Sequence, residues 1–144
     1  MREILFRGKR LHDNKWIYGN FVSDCEGNPH IIEPRFFCED GHHLQYEDNT
    51  DTPVFIIPET VGQYTGLADK NGVRIFEGDI CRFKRFNDIH VGEIVFNVTT
   101  ASFVMRYQSI VGAYGEKATQ KMLLSVCDDI EVIGNIHDNP ELLE

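Results

Sequence analysis

Apolar and polar residues alternate along most of this chain with a period near two, the spacing of half-buried β-strands. Ile4 to Arg10 is a short run of this kind, with Ile4 and Phe6 set against Leu5 and Arg7. His12-Asp13-Asn14 then supplies turn residues. Lys15 to Val22 is rich in aromatic and β-branched residues, with Trp16, Tyr18 and Val22 on one face. The two runs predict a hairpin. Asp24 to Pro29 is a second turn, where Gly27-Asn28 can take positive φ and Pro29 stops the ladder. His30 to Glu33 is a short third strand, followed by strands at Phe36–Cys38 and Val54–Ile57. Between the last two lies Glu39 to Thr52, polar and acidic, read as an excursion that is mobile or makes a contact.

The centre of the chain is Val61 to Ile80. Val61–Leu67 and Val73–Phe76 flank Asp69-Lys70-Asn71-Gly72, and the Asn-Gly pair predicts a type I′ turn, which needs φ > 0 at both central positions. Gly78, between Glu77 and Asp79, permits a sharp corner before Ile80. Gly62 and Gly66 permit bends within their strand.

The β rhythm then continues. Ile80–Phe86 places Arg82 and Lys84 on one face, Val91–Asn97 pairs Ile94 with Phe96, and Ser102–Tyr107 aligns Phe103, Met105 and Tyr107. Ile130–Ile136 aligns Ile130, Val132, Gly134 and Ile136. Strands at this spacing suggest a small barrel or sandwich. Tyr114–Val126 is ambiguous: Ala118, Met122 and Leu123 fall at helical spacing within Glu116–Leu124, whereas Met122–Val126 alone reads as a strand. The acidic tail, His137–Glu144, has Leu142 and Leu143 to pack with. The expected architecture is mainly β: an N-terminal β-meander over residues 1–60, with an irregular loop at about 35–53, packed against a barrel over residues 61–144. At most one or two short helices are expected.

Composition sharpens this picture only in part. A chain of 144 residues with 42% hydrophobic and 11% aromatic residues can form a packed core in one domain or two small modules. No apolar run is long enough to span a bilayer, and the N-terminus lacks a signal-peptide pattern. A cytoplasmic setting is therefore expected. The formal charge of −9 opposes general affinity for phosphates and fits simple solubility or a basic partner. Cys25, Cys38, Cys81 and Cys127 form no C-x-x-C pair and read as reduced thiols, Cys81 and Cys127 as small buried hydrophobes.

Three separated blocks resemble the YopX-like phage and prophage proteins. The first is Arg2-Glu3-Ile4-Leu5-Phe6-Arg7 followed by Trp16-Ile17-Tyr18-Gly19. The second is Gln63-Tyr64-Thr65-Gly66-Leu67, Asp69-Lys70-Asn71-Gly72 and Ile75-Phe76-Glu77-Gly78-Asp79-Ile80. The third is Asp129–Ile136 with Asn139-Pro140-Glu141-Leu142-Leu143. The resemblance covers the termini and the centre, but not residues 23–58 or 97–124. It implies a C-terminal half shaped as an SH3-like β-barrel, a phage or prophage origin in a bacterial host, and no catalytic residue or cofactor to assign.

Candidate chemistry is sparse. Cys25, His30, Cys38, His42 and His43 have the ligand types of a zinc site without its usual spacing, and an exposed polar loop is the favoured reading. Asp69, Glu77, Asp79, Asp128, Asp129 and Glu131 could hold a cation, yet turn chemistry accounts for Asp69 and Asp79. Arg82, Lys84 and Arg85, interleaved with Phe83 and Phe86, are candidate nucleic-acid contacts against an adverse net charge. No catalytic motif is present. The leading expectation is a non-enzymatic module that binds a protein partner, or itself, through exposed strand edges. Within the signature, Gln63, Tyr64, Thr65 and Lys70 have no evident structural task.

Overall fold

The computed structural model describes residues 3–32, 36–37, 45–46, 53–85, 88–111, 116–124 and 127–144, and these form thirteen strands and short 3-10 turns. The chain divides into two compact units, Met1–Gln63 and Tyr64–Glu144. The protein is mainly β, as the alternation predicts.

In the first unit, β1 (Phe6–Lys9) and β2 (Trp16–Ser23) form the expected hairpin, with Phe6 opposite Gly19 and Lys9 opposite Trp16. Next to β2 lies β3 (Pro29–Ile32), and beyond it β6 (Val54–Phe55). Gly62 and Gln63 pair with Arg7 and Phe6 on the other side of β1. Ile17, Ile31 and Ile56 make the core, with Phe6, Val54 and Val61 packed on it. The inward face of β2 is therefore the one carrying Ile17 and Gly19. Tyr18 is exposed on the opposite face, and Trp16 is instead covered by Arg7 and Lys9, whose cationic groups lie 4.7 and 5.4 Å from its ring centre. Phe36–Phe37 and Gln45–Tyr46 pair as β4 and β5. The rest of the 39–52 excursion lies outside the described residues.

In the second unit, β7 (Gly62–Ala68) from Tyr64 onward and β8 (Arg74–Phe76) form the central hairpin. Its turn is not type I′. Gly72 has φ 82°, but Asn71 is absent from the residues with positive φ. The Gly72 N–H donates to the Asp69 carbonyl and the Asp69 N–H to the Val73 carbonyl, which is a turn followed by a left-handed glycine. Asp69 decides the geometry, because its Oδ1 accepts the N–H groups of both Asn71 and Val73, at 2.8 and 2.9 Å.

The remaining strands are β9 (Asp79–Arg85), β10 (Asp88–Asn97), β11 (Ser102–Val111), β12 (Glu116–Leu123) and β13 (Asp128–Asn135). They form one antiparallel sheet in the order β12-β11-β10-β9-β13. Glu116–Leu123 is thus a strand, with all eight residues in register against β11, and the helical alternative is discarded. The inner face carries Cys81, Phe83, Ile94, Met105 and Tyr107, which pack with Ile75, Leu124 and Ile130. Cys127 packs partly buried against this core.

The closed SH3-like barrel implied by the resemblance is not formed. The sheet is open, with β12 and β13 as its two end strands. Two features keep β13 from closing on a neighbour. Register shifts interrupt its pairing with β9, between Asp128 and Glu131 and between Val132 and Gly134, so Ile130, Val132, Gly134 and Ile136 do not share one continuous face. Asp129, at the first irregularity, takes φ 51°. The free edge of β13 is also already occupied, by the turn of the central hairpin.

Candidate functional site

The turn of the central hairpin docks on β13 through three contacts. The Lys70 N–H donates to the Ile130 carbonyl at 2.9 Å, the Val132 N–H donates to Asp69 Oδ2 at 3.0 Å, and Lys70 Nζ pairs with Glu131 at 2.8 Å. Arg82 reaches the same Glu131 carboxylate from β9, at 2.6 Å. Burial pushes the Asp69 carboxyl up, but the backbone N–H groups of Val132, Val73 and Asn71 outweigh it and hold it below the ordinary value. Lys70 first and Arg82 second hold Glu131 down at about 2. The two carboxyl groups therefore stay ionised at neutral pH, and every interaction named here satisfies a partner within the chain. The cluster clasps the turn to β13.

The rest of the signature serves the same hairpin. Thr65 Oγ1 donates to the Ile75 carbonyl at 2.9 Å and accepts the Leu67 N–H, bridging the irregular stretch between Tyr64 and Ala68. Tyr64 packs on Phe76 with ring centres 5.5 Å apart, and Gln63 pairs with Phe6. At the glycine corner, Asp79 is fully buried and accepts the Phe76 N–H at 2.7 Å. Glu77 Oε1 accepts the Phe96 N–H. Gly66, Leu67, Asn71 and Gly72 belong to the strand and turn of the hairpin, and Gly78 to the corner. Removing only the Thr65 hydroxyl, as in Thr65→Val, is expected to lower stability by about 1–2 kcal/mol, because a buried carbonyl and an amide lose a partner together. A shift in denaturation midpoint measures this, with Thr65→Ser, which keeps the hydroxyl, retaining most of the wild-type stability.

The other sequence candidates separate. Arg82 is held by Glu131, and Arg85 donates to the Tyr107 hydroxyl, so two of the three candidate nucleic-acid contacts are engaged internally. Lys84 is exposed. Cys25 is exposed in its turn, while His30 is buried, packed at a tilt on Phe55 with its Nδ1 against the Asn28 carbonyl. Cys38, His42 and His43 lie outside the described residues. Among the described residues no group of three metal-ligating side chains converges.

What the alternation did not mark is the outer face of the five-stranded sheet. Register brings Glu93, Arg106 and Lys121 into one row across β10, β11 and β12, with Gln108 opposite Thr119 in the next. Arg106 donates to Glu93, and the Gln108 Nε2–H donates to Thr119 Oγ1 at 2.9 Å. A cleft of about 490 Å³ opens over these rows, walled on one side by Leu142, Leu143 and Glu144. Leu142 and Leu143 belong to the 3-10 turn Pro140–Leu143, and Glu144 follows it; the turn returns the tail over β10. Among the described residues the adjoining edge, β12, pairs with β11 alone.

No helix among the described residues is long and apolar enough to cross a membrane. A family model described as YopX protein matches residues 5–144. A solved structure, the crystal structure of protein EF1440 from Enterococcus faecalis, is similar at 24% identity over 100% of both chains, with a TM-score of 0.43. No curated protein matches the sequence.

Proposed function

The chain belongs to the YopX protein family, and from that premise we propose that it is a non-catalytic protein-binding module of a bacteriophage or prophage, acting in the cytoplasm of the bacterial host. One observation carries this reading. The two edges of the five-stranded sheet are treated differently: the hairpin turn covers β13, while β12 is left unpaired over its whole length among the described residues. A row of unpaired backbone donors and acceptors is a template for an added strand. The internal use of the signature carboxylates supports a structural rather than a catalytic role for them.

Affinity purification of the chain from host cells carrying the phage or prophage, with sizing of the purified protein, tests the proposal. A discrete partner, or a stable homo-oligomer, is the expected result. A monomer that recovers no partner and binds oligonucleotides in a salt-dependent manner, lost in Arg82→Ala/Lys84→Ala, would overturn it in favour of nucleic-acid binding.

A further inference from the structure

We infer that the β12 edge accepts an acidic extended segment of a partner protein, one with carboxylates four residues apart on the face continuous with the outer face of the sheet. The inference rests on the protein-binding reading above and names the chemistry of the partner.

The argument starts from an imbalance of charge. Across β10, β11 and β12 the outer-face row reads Glu93, Arg106, Lys121. Glu93 is paired with Arg106. Lys121 thus stands directly opposite a like charge, an arrangement that is unfavourable in a sheet, and among the described residues no carboxylate pairs with it. Two rows along, Ile110 stands opposite Lys117, and Lys117 likewise has no carboxylate partner among the described residues. Both lysines are exposed. The outer face of β12 itself therefore carries two cations and no anion, at the edge strand of a chain whose net charge is −9.

Strand geometry turns this into a pattern. A strand added to β12 places alternate side chains on the outer face, opposite Lys121, Thr119 and Lys117 in turn. The complementary segment has an acid, a polar residue and an acid at alternate positions, which is acid-x-polar-x-acid in sequence. The acid opposite Lys121 completes the row as anion, cation, cation, anion. On the inner face the added residues meet Ala118, Gln120 and Met122, which favours small or apolar side chains there. A second copy of the chain fits less well. Antiparallel pairing of two β12 strands centred on Thr119 sets Lys117 against Lys121 twice, and lysines on an edge are a common device against such self-pairing.

The test uses the full chain and capped peptides as long as β12. One peptide carries the acid-x-Thr-x-acid pattern with valine at the remaining positions, and its control has both acids replaced by lysine. Fluorescence anisotropy at low salt is expected to show the acidic peptide binding at least tenfold more tightly than the control, with affinity falling as salt rises. Hydrogen exchange is expected to slow in residues 116–123 when the acidic peptide is bound. Lys117→Glu/Lys121→Glu is expected to reverse the preference, and Lys117→Gln/Lys121→Gln to abolish it, without loss of folding.

Equal binding of both peptides, or protection confined to other strands, overturns the inference. So does protection of 116–123 by a second copy in concentrated protein, or by an oligonucleotide, with no response to the acidic peptide. The two levels of the proposal fail separately. If wild-type protein and the charge-reversed variant recover the same partner from host cells, the acidic-strand inference falls and the protein-binding reading stands. If neither recovers one, the protein-binding reading falls.

Discussion

Replacing Asp69 by alanine is expected to destabilise the second unit by about 3 kcal/mol, at the upper end of ordinary single substitutions. The carboxylate is buried and accepts three backbone N–H groups, those of Asn71, Val73 and Val132. Two of these bonds shape the turn, and the third ties it to β13. Alanine leaves all three donors without that acceptor at once. The Asn71 amide is exposed and can turn to water, so the loss falls mainly on Val73 and Val132. Denaturant unfolding measures the size of the effect, and hydrogen exchange at Val132 locates it. If the Val132 amide stays as protected in Asp69→Ala as in wild type, the clasp contributes little.

The same carboxylate fixes the direction of the pH dependence. Asp69 and Glu131 both have folded-state values below their ordinary ones of 3.8 and 4.5. Each therefore contributes stability that is fully present above its ordinary value and is lost as pH falls through the folded value. For Glu131 the loss extends down to about 2. Stability is expected to decline from about pH 4.5 downward, with no change toward neutral pH from these two groups. Asp69→Asn, which keeps one acceptor oxygen and cannot ionise, should flatten the part of this limb that belongs to Asp69.

How far this was legible in the sequence depended on whether a residue's partner was near it in the chain. The alternation at Arg82–Phe83–Lys84 and at Phe103–Met105–Tyr107 announced strands, because burial follows period two wherever the ladder is regular. It misled at Ile130–Ile136, where irregularities in the pairing with β9 shift the phase, and nothing local marks them except Asp129 at a positive φ. Glu116–Leu123 was ambiguous because its residues suit either state, and only pairing with β11 decides it. Asp69 could be read as a turn residue. Its bond to the Val132 N–H could not, since the two are 63 positions apart. Lys70 and Thr65 seemed idle for the same reason: their partners, Glu131 and Ile75, are brought to them by the fold. The open β12 edge was likewise invisible, because an edge is defined by which strand is missing beside it.

The other large effect is expected at Gly19→Ala, in the first unit, where about 3 kcal/mol or more should be lost. A methyl group at this position would stand 2.1 Å from the Ile32 carbonyl oxygen and 2.7 Å from its carbon. Both are backbone atoms, so no side-chain rotation relieves the contact. The neighbouring residue, Asn20, is paired with Ile32 in the ladder of β2 with β3, and β3 is held on its far side by β6. Relief therefore requires β2 and β3 to move apart, which also opens the packing of Ile17 against Ile31. Gly27→Ala is the matched control. Gly27 has φ 85° with nothing near its missing Cβ, so alanine there meets only the backbone cost of a left-handed residue, about 1 kcal/mol. Trp16, the only tryptophan, lies on β2 and reports the unfolding of this unit by fluorescence. A Gly19→Ala midpoint no lower than that of Gly27→Ala would mean that β2 and β3 are not held as closely as the contact between Gly19 and Ile32 requires.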